Sequence, residues 1–343
     1  MSSPSIITTQ PLGFQWPVLD PFIFCVHHHD LYPNGNGEMG PDASLEGRRL
    51  GEDFTPKDGW RMYHGDTVPG FPAHPHRGFE TVTIVLKGFV DHSDSHSQAG
   101  RYGNGDVQWM TAGSGLQHSE MFPLLKDNEP NPCELFQVWL NLPAAKKMVE
   151  PHFKMLWAED IPVFTSADGH GRKTSVRLIA GSLQGTDALD PAPDSWAASR
   201  ENEVCIWIIK MEPGAKWVLP AASADVFRVA YFYEGEKLKI EKTPVPAYSA
   251  VQLVPEHNIE IVAGESPCSI FLLQGKPIGE PVFQHGPFVM NSRAEIMKAF
   301  VDFDATQFGG WPWPRRDNVH PKEQGRFARH IEGREETPGQ TNK

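Results

Sequence analysis

The sequence predicts an all-β protein made of two tandem, jelly-roll-like β-barrels and one short helix near the C-terminus. Short runs of apolar and β-branched residues recur along the chain. Turns rich in Gly and Pro separate these runs, which is typical of barrels and sandwiches. The 31 glycines and 31 prolines suit many short strands joined by turns. The length of 343 residues corresponds to about two domains.

The first half of the chain contains four runs that predict strands, at residues 20–29, 79–90, 107–111 and 134–142. In the run that starts at residue 79, Glu80, Val82 and Ile84 share one face, because strand side chains alternate with period two. Residues 33–72 are rich in Gly, Asp and Pro and predict a long loop region, of the kind that covers or serves a site. The polar residues 91–100 predict a second loop.

The second half of the chain repeats this pattern with five strand-like runs, at residues 204–211, 226–235, 250–254, 259–264 and 269–275. Each half contains a strand that ends in a glycine, Gly88 in the first and Gly235 in the second. This recurrence indicates an internal duplication. Residues 291–301 predict a helix that Asn291 or Ser292 can cap, with Glu295 in its first turn.

These elements predict the domain organisation. We expect an N-terminal domain over residues 18–160, a linker over 161–200, a second domain over 201–305 and a polar tail over 306–343. The linker is rich in Asp, Gly, Ser and Pro, as connecting segments are. Beyond residue 318 the tail is polar, and we expect it to be mobile.

Composition and charge argue against several classes of function. The net charge of -12 is opposite in sign to a nucleic-acid-binding surface, which needs clustered Lys and Arg. The first residues lack the pattern of a signal peptide, and no run approaches the ~18 apolar residues of a membrane span. The four cysteines form no CxxC pair, which favours buried, reduced thiols. We therefore expect a cytoplasmic protein, with the nucleus as an alternative, that binds neither nucleic acid nor membrane.

Two pairs of polar residues predict a metal site. His74 and His76 are one residue apart at the start of a strand, so they point to one side. His118 and Glu120 repeat this spacing after a Gly-rich corner. A single such pair is equally typical of polar residues at a strand end, but its recurrence favours a site with three imidazoles and a carboxylate. This donor set suits one divalent transition metal, namely Fe(II), Mn(II), Ni(II), Cu(II) or Zn(II).

Glu80 leaves several interpretations open. It lies on the same face as His74 and His76 if the strand is regular. It could be a fifth ligand, it could orient an imidazole, or it could bind Arg77. We favour the second of these, because ligating imidazoles are usually held by an acceptor behind them.

Other histidines compete with the predicted site. His27 and His29 share one face of a strand, so one of them could approach the metal, but we expect a structural or rim position. Three further histidines lie in polar loops and are predicted to be solvated. They are His64, His92 and His96.

Three long segments resemble the signature segments of the pirin family. They are HPHRGFETVTIVLKG at residues 74–88, GDVQWMTAGSGLQHSEM at 105–121 and EPVFQHGPFVMN at 280–291. The resemblance implies two tandem cupin barrels, with one metal, commonly iron, in the N-terminal barrel. By the matching motifs its ligands would be His74, His76, His118 and Glu120.

The second barrel departs from this pattern. When Gly235 is aligned with Gly88, Ala221 and Ser223 stand where the first barrel has its histidine pair. The C-terminal cupin domain is therefore expected to lack a metal. The segment before HPHRG is also longer than the usual pirin link, and we expect it to form a lid.

The resemblance implies two alternative functions. Some pirins are similar to quercetinases, which cleave flavonols with dioxygen, and mammalian pirin acts as a redox-sensitive transcription cofactor. The chain is accordingly expected to be an Fe(II)-dependent dioxygenase of the quercetin 2,3-dioxygenase type. Its substrate would be a flavonol-like polyphenol, and Glu120 would act as the catalytic base. Alternatively, it is a non-catalytic metal-binding protein whose metal oxidation state regulates a protein partner.

Overall fold

The computed structural model describes residues 4–339. In this part of the chain nearly all regular structure is short β-strand, as predicted. The strands up to residue 156 are β1 (Ile6–Pro11), β2 (Phe22–Tyr32), β3 (Gly70–His76), β4 (Phe79–Lys87), β5 (Phe89–Asp94), β6 (Ala99–Gly103), β7 (Val107–Thr111), β8 (Leu116–Met121), β9 (Asn131–Asn141) and β10 (His152–Leu156).

The remaining elements are short strands and one helix. They are β11 (Val163–Ala167), β12 (Lys173–Ala180), β13 (Ser182–Leu183), β14 (Thr186–Asp187), β15 (Cys205–Met211), β16 (Lys216–Leu219), β17 (Phe227–Glu234), β18 (Leu238–Ile240), β19 (Thr243–Val245), β20 (Ser249–Leu253), β21 (Ile259–Ala263), β22 (Cys268–Gly275), β23 (Phe283–His285), β24 (Phe288–Met290), the helix α1 (Arg293–Thr306), β25 (Phe327–Arg329) and β26 (Glu335–Glu336). Single 3-10 turns occupy Ala144–Lys146, Trp196–Ala198, Arg200–Asn202 and Gln307–Gly309.

The first barrel belongs to a compact unit of residues 27–138, 142–159 and the described residues from 280 onward. Its two sheets have the strand orders β10-β7-β4-β9-β2 and β26-β25-β6-β5-β8-β3. Val85, Tyr102, Met110 and Leu135 are among the side chains that fill the space between these sheets, and each is at most 2% exposed. These inward-facing residues alternate with outward-facing ones, as closing a barrel requires.

The second barrel belongs to a unit of residues 4–26, 139–141 and 160–279. Its sheets have the orders β1-β20-β17-β22-β15-β12-β11 and β16-β21-β18-β19. Trp207, Ile209, Trp217, Phe232 and Ile270 belong to its apolar core. Both units are therefore closed around their own core, as the predicted duplication requires.

The extents of these units differ from the predicted boundaries. Residues 161–200, expected to be a linker, contain β12, which pairs with β15 so that Val176 lies opposite Ile209. Val176 and Leu178 are fully buried. Residues 4–26 belong to the second unit, where β1 pairs with β20. The alternation of apolar side chains in β12 is short and lies among polar residues, so the composition of the segment concealed it.

The polar residues 91–100 are also wrongly predicted as a loop. Gly88, at φ 78°, ends β4, and the chain reverses directly into β5. From Asp91 to Asp94 the residues of β5 are fully buried. Polar side chains are tolerated there because neighbouring strands supply hydrogen bonds and opposite charges.

The tail is predicted to be mobile beyond residue 318, and this is wrong for its central part. Strand β25 pairs with β6, with Ala328 opposite Gly100. Phe327 and Ala328 are buried, and so is His320. Arg101 of β6 holds the segment through its guanidinium, which donates to the main-chain oxygen of His320 at 3.0 Å. The tail therefore forms an edge of the first barrel.

The long segment between β2 and β3 covers the first barrel. Trp60, Met62 and Tyr63 are at most 3% exposed and join its apolar core. Arg61, within the same segment, forms an ion pair with Asp30 of β2 at 2.9 Å. The apolar and ionic contacts together fix this segment on the barrel.

The helix α1 begins where the sequence predicts. Ser292 is the N-cap, and its hydroxyl oxygen accepts the backbone N–H of Glu295 at 3.3 Å. The Glu295 carboxylate accepts in turn from the backbone N–H of Asn291 at 3.1 Å, which completes a capping arrangement. Within residues 4–339 no helix combines the length and the apolar character that crossing a membrane would need.

Candidate metal centre

Strands β3 and β8 bring the two predicted residue pairs together. They pair antiparallel, with His74 opposite His118 and Phe71 opposite Glu120. The register shifts between Phe71 and His74, which re-aims the end of β3. On its other side β8 pairs with β5, and there His92 lies opposite Glu120.

The three histidines form a compact cluster. The ring centroids of His74 and His118 are 4.5 Å apart, and those of His74 and His76 are 4.8 Å apart. The rings of His76 and His118 are separated by 5.0 Å. One ring nitrogen from each residue lies within 4.8 Å of the other two. Metal–nitrogen bonds are ~2.0–2.1 Å long, so nitrogens that share an ion lie within roughly twice that distance, close to this spacing.

Hydrogen bonds behind the rings orient two of the imidazoles. His74 Nδ1 lies 2.9 Å from the carbonyl oxygen of Pro72, and His76 Nδ1 lies 3.4 Å from that of Pro287. Because a carbonyl oxygen only accepts, each Nδ1 carries the proton and each Nε2 keeps its lone pair. His118 is fully buried, and neither of its nitrogens has a hydrogen-bond partner among the described residues. Such an orphaned imidazole is costly unless a ligand engages it.

The imidazoles of the cluster are neutral at physiological pH. Burial lowers the pKa of His74 to about 4. Burial, and then repulsion from His74, holds the pKa of His76 well below its usual range. The same two causes act on the pKa of His118. Neutral imidazole is the form that binds a metal ion, so the cluster is ready to bind one without first losing a proton.

Glu120 lies beside this cluster and is only 4% exposed. One carboxylate oxygen accepts from the Thr83 hydroxyl at 2.9 Å, and the other accepts from the Gln137 amide at 2.9 Å. The second oxygen is 3.7 Å from His118 Nε2. Burial raises the pKa of Glu120, and the hydrogen bonds from Thr83 and Gln137 partly offset this effect.

The donor chemistry of these residues fits a divalent transition metal. Neutral imidazoles and a carboxylate suit first-row ions, and no thiolate is present, since the four cysteines are buried and unpaired elsewhere. The orphaned nitrogens of His118 are the feature that a bound ion would satisfy. Among residues 4–339, His74, His76 and His118 are the one group of three or more His, Cys, Asp or Glu residues with ligand atoms spaced to hold an ion, and Glu120 lies outside this group.

The structure decides one of the alternatives for Glu80. Its carboxylate accepts a hydrogen bond from the Thr111 hydroxyl at 2.7 Å. Arg77 pairs instead with Asp302 at 2.8 Å, so the alternative in which Glu80 binds Arg77 is wrong. The attraction of Asp302, on the helix α1, was not visible in the sequence because the two residues are far apart in the chain.

The histidines of β2 have structural contacts of their own. His27 Nε2 is 3.1 Å from the Glu134 carboxylate, and its ring stacks on Phe136 with centroids 4.6 Å apart. His28 is buried and hydrogen-bonds the Tyr63 hydroxyl at 2.7 Å. These contacts agree with the structural position that we expect for this triplet.

His92 is the residue that the sequence analysis missed. It was predicted to be solvated, as His64 is, but the His92 side chain is fully buried. Its ring lies 5.5 Å from that of His118, and its Nε2 is 3.3 Å from the Asp94 carboxylate. The alternation of His92 and Asp94 on one side of a strand was the available signal. It was overlooked because the segment contains few apolar residues.

The tandem barrels, with a single histidine cluster in the first, define a bicupin. The pirin family model matches residues 45–140, and the model of the pirin C-terminal cupin domain matches residues 206–309. The chain belongs to the pirin family.

Individual relatives agree with this family. A pirin-like protein of Caulobacter vibrioides is 36% identical over 243 residues, which are 71% of this chain and 82% of the relative. Pirin-1 of Arabidopsis thaliana is 36% identical over 245 residues, which are 70% of this chain and 78% of the relative. The crystal structure of a quercetin 2,3-dioxygenase from Acinetobacter baumannii superposes with a TM-score of 0.68 at 27% identity, covering 89% of this chain and 98% of that one.

Proposed function

We propose that this protein is an Fe(II)-dependent dioxygenase of the quercetinase type that acts on a flavonol-like polyphenol. The observation that carries the proposal is the cluster of the half-buried His74 with the buried His76 and His118, beside Glu120. The similarity to the quercetin 2,3-dioxygenase of Acinetobacter baumannii supports the reaction type and the class of substrate.

His74, His76, His118 and Glu120 are proposed as the ligands. Three imidazoles and a carboxylate resemble the two-histidine, one-carboxylate face of non-haem iron oxygenases, which favours Fe(II) over the other first-row ions. When bound, Fe(II) would supply a Lewis acid and a redox-active centre. The imidazoles hold their orientation before the metal arrives, because the carbonyls behind His74 and His76 fix the tautomer of each ring.

Glu120 is also proposed as the general base. A flavonol hydroxyl must lose its proton before the ring that bears it can react with dioxygen, and a buried carboxylate of raised pKa is a stronger base than a solvated one. Thr83 and Gln137 each donate to one oxygen of Glu120, so the carboxylate keeps its position while it accepts the proton. Tyr102 and His118 beside Glu120 are fully buried, so this side of the site is shielded from water.

The test is dioxygen uptake by protein reconstituted anaerobically with Fe(II), with quercetin as the first substrate. We expect turnover by the unaltered protein. The His118→Ala variant should lose at least about 100-fold of kcat/KM, together with its iron, because it removes one ligand outright. His170→Ala is the matched control, since His170 is exposed in a turn of the second barrel's unit.

Circular dichroism and metal analysis of both variants separate loss of the site from loss of the fold. Undiminished turnover in folded His118→Ala protein would refute the assignment of the site. Iron bound at one equivalent without dioxygen uptake on any flavonol would refute the dioxygenase and leave the metal site standing.

A further inference from the structure

A polar pocket lies within the unit of the second barrel. Its volume is about 150 Å³, which is room for several water molecules or one small ligand. The polar side chains of its lining include Ser182, Ser199, Glu203, Arg228 and Gln274. We refer to it as the Arg228 pocket.

The Arg228 pocket lies beside the segment of the second barrel that corresponds to the histidine pair of the first. Ala221 and Ala222 form part of its lining. When Gly235 is aligned with Gly88, these alanines belong to the segment that corresponds to residues 74–76 of the first barrel. The second barrel therefore keeps a cavity beside this segment, but the segment contributes no metal-binding side chain.

Arg228 is a buried cation whose hydrogen-bond acceptors are both neutral. It is 1% exposed, and it comes from β17. Its Nε donates to the Gln274 side-chain oxygen at 2.7 Å, and its Nη1 donates to the Pro220 carbonyl oxygen at 2.9 Å. Among the described residues the Glu203 carboxylate attracts Arg228 electrostatically, but it forms no ion pair with it. A buried charge is costly unless an opposite charge compensates it, so this guanidinium favours an anion in the cavity.

The neighbouring groups leave this positive charge in place. Burial lowers the pKa of Arg228 to about 10, and at neutral pH the guanidinium is still protonated. Cys205 also lines the pocket and stays a neutral thiol, because burial raises its pKa to about 12. Gln274 directs its oxygen to Arg228, since its amide donates to the carbonyl oxygen of Glu203 at 3.2 Å.

Two other charged side chains line the pocket, and both are already engaged. The Glu203 carboxylate, which is half-buried, accepts from the backbone N–H of Ser223 at 3.2 Å and from its hydroxyl. Arg200 is exposed and pairs with Asp187 at 2.9 Å. With Arg228 included, the lining carries two positive charges and one negative charge.

We propose that the Arg228 pocket binds a small oxyanion, a carboxylate or a phosphate, through the guanidinium of Arg228. The planar guanidinium of arginine matches the oxygens of both groups and binds them more strongly than it binds neutral acceptors. The hydroxyls of Ser182 and Ser199 in the lining offer further donors. This site is independent of the dioxygenase proposed for the first barrel.

Isothermal titration of the full-length protein tests the proposal. Sodium phosphate and sodium acetate are titrated in separate arms, with sodium chloride balancing the ionic strength. We expect saturable one-to-one binding in at least one arm. Glu203→Gln should bind that anion several-fold more tightly, because the variant removes a like charge from the pocket.

Arg228→Gln should abolish the binding. Arg172→Gln is the matched control, since Arg172 pairs with Asp168 in the same unit and does not line the pocket. The arm that saturates identifies the oxyanion as phosphate, as carboxylate or as either.

Three results would overturn the proposal. One is the absence of saturable binding in both the unaltered protein and Glu203→Gln. Another is unchanged affinity in folded Arg228→Gln. If Arg228→Gln does not fold, the affinity of Glu203→Gln decides, and an affinity equal to that of the unaltered protein places the bound anion elsewhere.

Discussion

Replacing Arg101 by Met should destabilise the first barrel and release its C-terminal edge. Arg101 and Asp91 are both fully buried and form a two-pronged ion pair, with distances of 2.7 Å for each prong. The same guanidinium donates to the main-chain oxygens of His320, Pro321 and Gln324 at 3.0, 2.9 and 2.7 Å. One side chain therefore compensates a buried charge and fixes the segment before β25.

The magnitude follows from what the substitution leaves behind. Asp91 would become a buried carboxylate without its cation, and breaking a buried pair in this way costs about 3–5 kcal/mol. The main-chain oxygens that lose the guanidinium can accept hydrogen bonds from water if the segment detaches. Their release therefore adds little to the loss in the free energy of unfolding. We expect a loss of about 4 kcal/mol in the free energy of unfolding of this unit.

The assay is urea unfolding followed by circular dichroism, with limited trypsin digestion as a second measurement. Arg101→Met should unfold at lower urea, and trypsin should cleave it rapidly at Lys322 and Arg326. Adding Asp91→Asn should recover part of the stability, because it removes the uncompensated charge. Arg329→Gln is the control. It breaks a pair with Glu335 in which both side chains are at least 42% exposed, and it should cost at most about 1 kcal/mol.

An Arg101→Met variant that loses no more stability than Arg329→Gln would refute this reasoning. So would a double variant with Asp91→Asn that is no more stable than Arg101→Met alone. Both results would mean that the buried ion pair contributes little to the fold.

Three further predictions concern the site and the stability of the fold. Gln137→Leu removes a hydrogen-bond donor to the Glu120 carboxylate, so the pKa of Glu120 should rise further. The acid limb of the pH profile of dioxygen uptake should therefore move to higher pH, while the iron content stays unchanged. Burial alone would raise the pKa of Glu134, but hydrogen bonds from His27 and Lys87 lower it to about 2, below its ordinary 4.5. Its stabilising effect is therefore present above pH ~4.5 and lost as the pH falls toward 2, so Glu134→Gln should lower the urea midpoint at pH 7 more than at pH 3. Ser292→Ala should cost about 1 kcal/mol in thermal unfolding, because it removes the cap of α1, and an uncapped helix of equal stability would contradict that estimate.

Local patterns in the sequence were enough to predict much of the fold. β7 spans the predicted residues 107–111, and β15 and β17 lie within one residue of their predicted ends. Apolar residues follow one another or alternate in each of these runs, so the strand pattern can be recognised without knowledge of the partner strand. The cap of α1 was equally legible, because Ser292 and Glu295 act within one turn.

The spacing of the two residue pairs predicted that they meet, and the pairing of β3 with β8 brings His74, His76 and His118 within ligand distance of one another, with Glu120 beside them. The spacing did not predict the hydrogen bonds that orient the imidazoles. The acceptor for His76 comes from Pro287, over two hundred residues later in the chain.

The sequence alone thus determined the apolar strands, the duplication and the two residue pairs that supply the candidate ligands, because each depends on residues that are neighbours in the chain. Only the tertiary structure decided which polar side chains are buried. His92, Asp91 and Arg228 lie in the interior. Asp91 finds its opposite charge in Arg101 of β6, and Arg228 finds a hydrogen-bond acceptor in Gln274 of β22. Burial of a polar group depends on such partners, and its own sequence context does not reveal them.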